Sequence, residues 1–262
     1  ARFSGWFFGG VGIGIAASGL AVVAAGRLVG WPWAPWQREW LVVAVLAAIL
    51  ALPAGAWLPP VPIVPRRGAG RGWGGAGPIL ALVGTAYFLE GAGYIVTGTF
   101  IVAIVGELPG LSDLGPAVWI LVGLAAAPST VLWTLAATKT RPIATLTAAY
   151  FVQTIGIALP ALSDRAGAAI ASALLFGGTF MAIAALTISF AQRAAPPAQA
   201  NRAIGWLTAA FGLGQIAGPL LAVALAGGGD LRPTLLVAAA AVLAGGVLVA
   251  AAGVALHSRP ID

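Results

Sequence analysis

PILALVGTAYFLEGAGYIVTGTFIVAIV, residues 78–105, runs for 28 residues with one carboxylate, Glu90, and no basic residue. About 20 mostly apolar residues are enough for a helix to cross the hydrocarbon core of a bilayer. The apolar run is continuous, whereas a barrel strand would alternate over about 10 residues. Seven further runs of the same kind lie around it, at roughly 5–26, 39–58, 116–137, 142–161, 166–191, 204–226 and 232–256. Turn formers separate them: Trp31-Pro32, Pro59-Pro60, the glycine-rich run from Gly68 to Gly77, Pro109-Gly110, Arg141-Pro142, Pro196-Pro197 and Gly227-Gly228-Gly229. The fold class is therefore all-α, a polytopic transmembrane helical bundle with about eight spans.

Composition agrees over the whole chain. Of 262 residues, 60% are hydrophobic and 8% charged, and the mean hydropathy is +1.01. Ordinary globular chains carry roughly 25% charged residues, so a cytosolic enzyme of normal build and a disordered tail are excluded. The sequence pI of about 11.1 arises from 13 basic residues against 7 acidic ones. These are scattered along the chain, where a nucleic-acid binder would cluster them on one face. No cysteine is present, which removes thiol catalysis, thiolate metal sites and disulfides. His257, the lone histidine, lies beyond the last apolar run. With no histidine pair and no two carboxylates on one helical face, neither a metal site, a cofactor nor a catalytic residue is expected, and the chain reads as a non-enzyme.

Lys and Arg in the connecting loops set the expected orientation. One side carries Arg2, Arg66, Arg67, Arg71, Lys139, Arg141, Arg193, Arg202 and Arg259; the other carries Arg27, Arg38, Arg165 and Arg232. The richer side is read as cytoplasmic, with both ends of the chain on it. Trp31, Trp33, Trp36 and Trp40 fill one outer loop as an interfacial belt.

An internal repeat organises the spans. With a shift of 200, Gly5/Gly205, Trp6/Trp206, Gly12/Gly212, Gly14/Gly214, Ala17/Ala217 and Leu20/Leu220 are identical. The first span thus pairs with the seventh, which makes the repeating unit six spans long. On this reading, residues 1–58 are the last two spans of an N-terminal six-helix bundle. Residues 59–77 form a cytoplasmic linker, and 78–262 form a C-terminal six-helix bundle. Four spans are expected ahead of Ala1, consistent with a sequence that does not begin with Met. Twelve spans in two parallel halves make one of the secondary-transporter architectures.

Three segments carry a more specific likeness: Tyr87 to Phe100 (YFLEGAGYIVTGTF), Tyr150 to Pro160 (YFVQTIGIALP) and Phe211 to Pro219 (FGLGQIAGP). They resemble, in turn, the seventh, ninth and eleventh spans of the YbfB/YjiJ-like branch of the major facilitator superfamily. The likeness covers essentially the whole chain, which then corresponds to spans five to twelve of twelve. It departs from the pattern in lacking the basic loop motif between spans two and three. Ser18-Gly19 also stands where the repeat has Gly218-Pro219. The resemblance implies a membrane transporter whose seventh span lines a central cavity.

Glu90 is the one acidic residue well inside a span, where an ionisable group is costly and marks a functional-site hypothesis. Desolvation favours its uncharged form, which suits a proton-coupling or cation-binding carboxyl. Tyr87, Glu90, Tyr94 and Thr97, spaced 3, 4 and 3, share one helical face. With Gln153, Thr179 and Gln215 they are the substrate-binding candidates; Gln153 and Gln215 also serve as bonding groups between helices. Trp133, Tyr150 and Phe180 could stack a ligand ring, although packing suits them better. Gly12 to Ala17 and Gly212 to Ala217 match the dinucleotide fingerprint as text, but both sit inside apolar helices with no preceding strand. Gly10 with Gly14, and Gly214 with Gly218 ahead of Pro219, instead make GxxxG faces for close helix packing.

The functional expectation is a secondary transporter in a bacterial inner membrane, moving a small organic solute by alternating access. Its partners are the lipid bilayer, the solute, protons and the N-terminal spans of its own chain, with no nucleic acid. The alternative is a non-transporting membrane sensor or scaffold on the same fold.

Overall fold

The computed structural model describes residues 2–27, 34–57, 76–111, 114–226 and 231–257. Among them are eight long α-helices: α1 (Arg2–Gly26), α2 (Pro35–Trp57), α3 (Gly77–Glu107), α4 (Leu114–Lys139), α5 (Pro142–Leu162), α6 (Ala166–Ala194), α7 (Ala200–Ala226) and α8 (Arg232–His257). All eight are long and apolar enough to cross a membrane. No strand occurs among the described residues. The linker expected at 59–77 lies outside the described residues except for its last two positions, and so do Trp31 and Trp33.

Local chemistry explains where the helices begin and end. Pro78 and Pro142 occupy the first turns of α3 and α5, where a missing N–H costs nothing and the fixed φ suits the helix. α2 starts four residues earlier than its apolar run. Ala34 precedes Pro35, and the Gln37 side chain accepts a hydrogen bond from the Ala34 backbone N–H at 3.1 Å, the return arm of a capping box. After α3 the chain turns at Gly110, whose φ of 72° suits a residue without a Cβ. Pro53, Pro128, Pro160 and Pro219 are carried inside helices; spans tolerate this because neighbouring groups satisfy the freed carbonyls.

The helices do not pack in chain order. α4 lies between α1 and α6, α5 between α6 and α8, and α3 between α8 and α7. Lesser contacts of α3 with α4 and of α6 with α7 close the assembly of α3 to α8. α1 makes its main contact with α4, more extensive than its contact with the adjacent α2. α2 packs on α1 and buries none of its residues.

Small residues set these approaches, as expected where lipid is as apolar as the side chains. A Cβ on Gly12 would stand 2.6 Å from Ala127 Cα, and one on Gly123 would stand 2.7 Å from the Gly12 carbonyl oxygen. α1 and α4 therefore touch backbone to backbone. On α7, a Cβ on Gly214 would meet Ala92 N at 2.9 Å and one on Gly218 would meet the Ala92 oxygen at 2.5 Å. These two glycines seat α7 on α3. Gly10 and Gly14 behave differently: both are exposed, with nothing within 4 Å of an added Cβ. The close contact expected of that pair is made instead by Gly9 and Gly12, because the helix turns this face toward α4.

Polar cross-ties complete the bundle. Trp133 on α4 donates from its indole nitrogen to the Gly178 carbonyl on α6 at 2.8 Å. The Ser172 hydroxyl on α6 donates to the Gly156 carbonyl on α5 at 2.6 Å. At one end, Arg232 of α8 pairs with Asp164, just before α6, at 2.8 Å. Large apolar side chains such as Leu213, Ile216 and Leu220 stand exposed along α7, ordinary for a helix facing lipid or another helix.

Candidate functional site

α3 carries the site because its middle third is the polar part of an otherwise apolar span. Glu90 is 13 residues from the helix start, about 20 Å along the axis at 1.5 Å per residue. This is within two residues of the middle of the 31-residue helix, the part of a spanning helix expected at the centre of a hydrocarbon layer about 30 Å thick. Its side chain is 1% exposed, and it is the one buried charged residue among those described.

Its partner comes from α5. The Gln153 amide nitrogen donates to Glu90 Oε1 at 3.1 Å, and Gln153 is itself fully buried. Glu90 Oε2, Gln153 Oε1 and the Tyr150 hydroxyl are all buried without a hydrogen-bond partner. Tyr150 precedes Gln153 by three residues on the same face of α5. Its side chain lies against Gly245 and Gly246 of α8: an added Cβ would come within 2.9 Å of the ring at Gly245 and within 3.0 Å of the Tyr150 Cβ at Gly246. The same Gly245 position faces the Ala86 carbonyl at 3.0 Å, one turn before Glu90.

The face expected of Tyr87, Glu90, Tyr94 and Thr97 divides in the structure. Seven residues apart, Tyr87 and Tyr94 fall nearly in line after two turns, while Glu90 is offset by about 60°. That offset sends them to different neighbours. The tyrosines meet α6 and α7: Tyr87 stacks on Phe211 with ring centroids 4.6 Å apart, and Tyr94 stacks on Phe180 at 5.2 Å and Phe211 at 5.8 Å. Phe176 and Phe180 stack at 5.4 Å behind them. Each offset-stacked pair contributes about 0.5–1.5 kcal/mol beyond its burial. Tyr94 and Phe211 are half-buried, whereas Tyr87, Phe176 and Phe180 are buried. The result is an aromatic wall joining α3, α6 and α7.

The other candidates are dispersed. The Thr97 hydroxyl donates to the Gly93 carbonyl of its own helix at 2.9 Å. Thr179 is buried and does the same toward Leu175 at 2.7 Å, the usual resort of a hydroxyl inside a helix. Gln215 is half-buried on α7. Trp133 and Tyr150 are engaged in packing rather than standing free as ring-stacking surfaces. Phe211 was not singled out from the sequence. Its signal was its place three positions before Gly214, on the helix that the glycines press against α3.

A cavity of about 600 Å³ opens elsewhere, where α1 and α2 meet α3 and α4, lined by Ser18, Glu39, Trp40, Thr99 and Trp119 among others. It falls in the size range of small-molecule pockets, but Glu90 does not reach it.

Known proteins supply the remaining link. No curated protein matches the chain. The family model described as "Uncharacterised MFS-type transporter YbfB" matches residues 1–250. That match, together with eight helices able to span a membrane, makes the chain a multi-pass membrane protein belonging to the YbfB family of MFS-type transporters.

Proposed function

We propose that the protein is a secondary active transporter that moves a small organic solute by alternating access, with Glu90 as the proton-coupling carboxyl. The observation that carries this reading is a fully buried carboxyl at mid-span whose one hydrogen-bond partner among the described residues is a neutral amide. An unpaired carboxylate in that setting costs several kcal/mol. The group is therefore stable there as the acid, and releasing its proton requires a rearrangement that opens the site. Such a requirement ties proton release to a change of conformation. The half-buried Tyr94 and Phe211 supply an aromatic surface one turn from the carboxyl, suited to a solute with an apolar or planar part.

In this reading α3 to α8 form one bundle, and α1 and α2 belong to the other half, joined through 59–77. The 200-residue repeat between α1 and α7 supports that division. The Lys/Arg bias supports a reading in which Lys139, Arg141, Arg193 and Arg202 lie on the cytoplasmic side of a bacterial inner membrane. No catalytic chemistry is assigned to the chain.

The test is uptake by proteoliposomes holding the full-length protein, challenged with labelled amino acids, organic acids, sugars and organic cations under an imposed pH gradient. Accumulation that follows the gradient in the wild type and is lost in Glu90→Gln is the expected result. Uptake that keeps its size and pH profile in the variant overturns the role of Glu90.

A further inference from the structure

We propose that Tyr150 and Gln153 are positioning residues that, with Glu90, form a single proton-holding unit between α3 and α5. The proposal rests on the reading of Glu90 as the coupling carboxyl. Three buried polar atoms without partners belong to neighbouring side chains: Glu90 Oε2 and Gln153 Oε1, whose residues are hydrogen-bonded to each other, and the hydroxyl of Tyr150, one turn before Gln153 on α5. Buried groups of this kind cost about 1–3 kcal/mol each when left unmade, so three in one cluster point to a state in which they are paired.

Counting hydrogens identifies that state. When Glu90 carries its proton, Oε2 donates to the Tyr150 oxygen and Tyr150 donates to Gln153 Oε1. The existing bond from the Gln153 amide nitrogen to Glu90 Oε1 closes the ring. Every orphaned atom then has a partner. When the proton leaves, the cluster loses one donor. Tyr150 can serve either the carboxylate or the Gln153 oxygen, and one acceptor is left unpaired. The ring is complete only with the proton in place.

No other charge competes for this role. On α3 the titratable side chains within a turn of Glu90 are Tyr87 and Tyr94, and on α5 the titratable side chain is Tyr150. The Lys and Arg residues of α4, α6, α7 and α8 stand at helix ends, as Lys139, Arg193, Arg202 and Arg232. The location also gives the unit mechanical meaning. α3 and α5 both pack extensively on α8 and only slightly on each other. The polar ring is thus a bridge over α8, past the slot that Gly245 and Gly246 leave for the Tyr150 ring. Proton release loosens that bridge without disturbing either helix's contact with α8.

The unit is tested by infrared difference spectroscopy on the full-length protein in liposomes, reading the carboxylic-acid C=O stretch that Glu90→Gln removes. Tyr150→Phe keeps the ring and deletes only the hydroxyl. The expected result is that the Glu90 band moves to higher wavenumber in this variant, as an acid does on losing its hydrogen bond. An unmoved band overturns the unit and leaves Glu90 as a lone proton site. A wild type with no such band at neutral pH overturns the protonated carboxyl itself, and the unit with it. Thermal unfolding gives an independent reading. Deleting a truly orphaned hydroxyl leaves the midpoint unchanged or raises it, and either result counts against the unit. A fall seen beside Glu90 but absent in the Glu90→Ala background, which has neither donor nor acceptor at that position, supports it.

Discussion

The indole of Trp133 on α4 donates to the Gly178 carbonyl on α6 at 2.8 Å, so one side-chain hydrogen bond joins two spans 45 residues apart in sequence. Its acceptor lies on the glycine side of α6, where Gly177 comes within Cβ distance of Val122 on α4. Trp133→Phe keeps an aromatic ring and removes the donor. A loss of about 1 kcal/mol is expected, read as a lower unfolding midpoint in detergent. Trp36→Phe, at an exposed position on α2, should leave the midpoint where it is.

Glu90→Gln separates stability from coupling. The amide fits the same space and can still meet Gln153, so the unfolding midpoint should stay within the equivalent of about 1 kcal/mol of wild type. Transport driven by a pH gradient should fall to background. Glu90→Ala removes the partner of a buried amide and should be destabilising by about 1–3 kcal/mol, visible in the same unfolding experiment.

The glycines of α1 predict a paired result. Gly12→Leu places a side chain where the backbone of Ala127 already stands, so α1 must leave α4, at an expected cost of 1–3 kcal/mol or more. Gly10→Leu enters open space and should leave the α1 and α4 contact intact. Cysteine crosslinking between α1 and α4, in a chain with no native cysteine, would report both.

The aromatic wall should govern solute choice more than stability. Tyr94 stacks on Phe176, Phe180 and Phe211. Tyr94→Phe keeps those contacts and should preserve transport. Tyr94→Ala opens the wall and should raise the half-saturation concentration for uptake by roughly tenfold, from about 1.4 kcal/mol of lost contact.

The ion pair of Arg232 and Asp164 should matter little. Both side chains are substantially exposed, 35% and 56%, and exposed pairs are worth about 0–1 kcal/mol and are screened by salt. Asp164→Asn should lower the midpoint slightly in low salt and not measurably in high salt.

The spans were legible because bilayer thickness dictates the length of an apolar run, and no loop here interrupts one. The start of α2 was missed by four residues since Pro35 to Arg38 reads as polar, yet Gln37 at the third helical position was a capping signal in plain view. Glu90 was legible as a lone acid in an apolar run. Its attachment to Gln153, 63 residues away, was not, because nothing along the chain records that α3 and α5 flank α8. The glycine pattern named candidate faces without saying which one is used. Gly214 and Gly218 do pack on α3, while on α1 the contact moved to Gly9 and Gly12. A spacing rule finds small residues, but the neighbour decides which of them is covered.

At the level of Gly12 the contact between α1 and α4 has almost no teeth, while two turns on the Ile120 side chain is seated against Gly19. Where ridges interlock with grooves, sliding one helix past another means withdrawing side chains from their holes and exchanging rotamers. Here Gly12, Gly123 and Ala127 let bare backbone rest on bare backbone. Around Gly12, α1 can roll on α4 through a small angle with its rotamers kept, and Ile120 against Gly19 marks the point about which it turns. A seam of that kind behaves as a bearing: it holds two parts at a fixed distance while leaving their relative tilt nearly free.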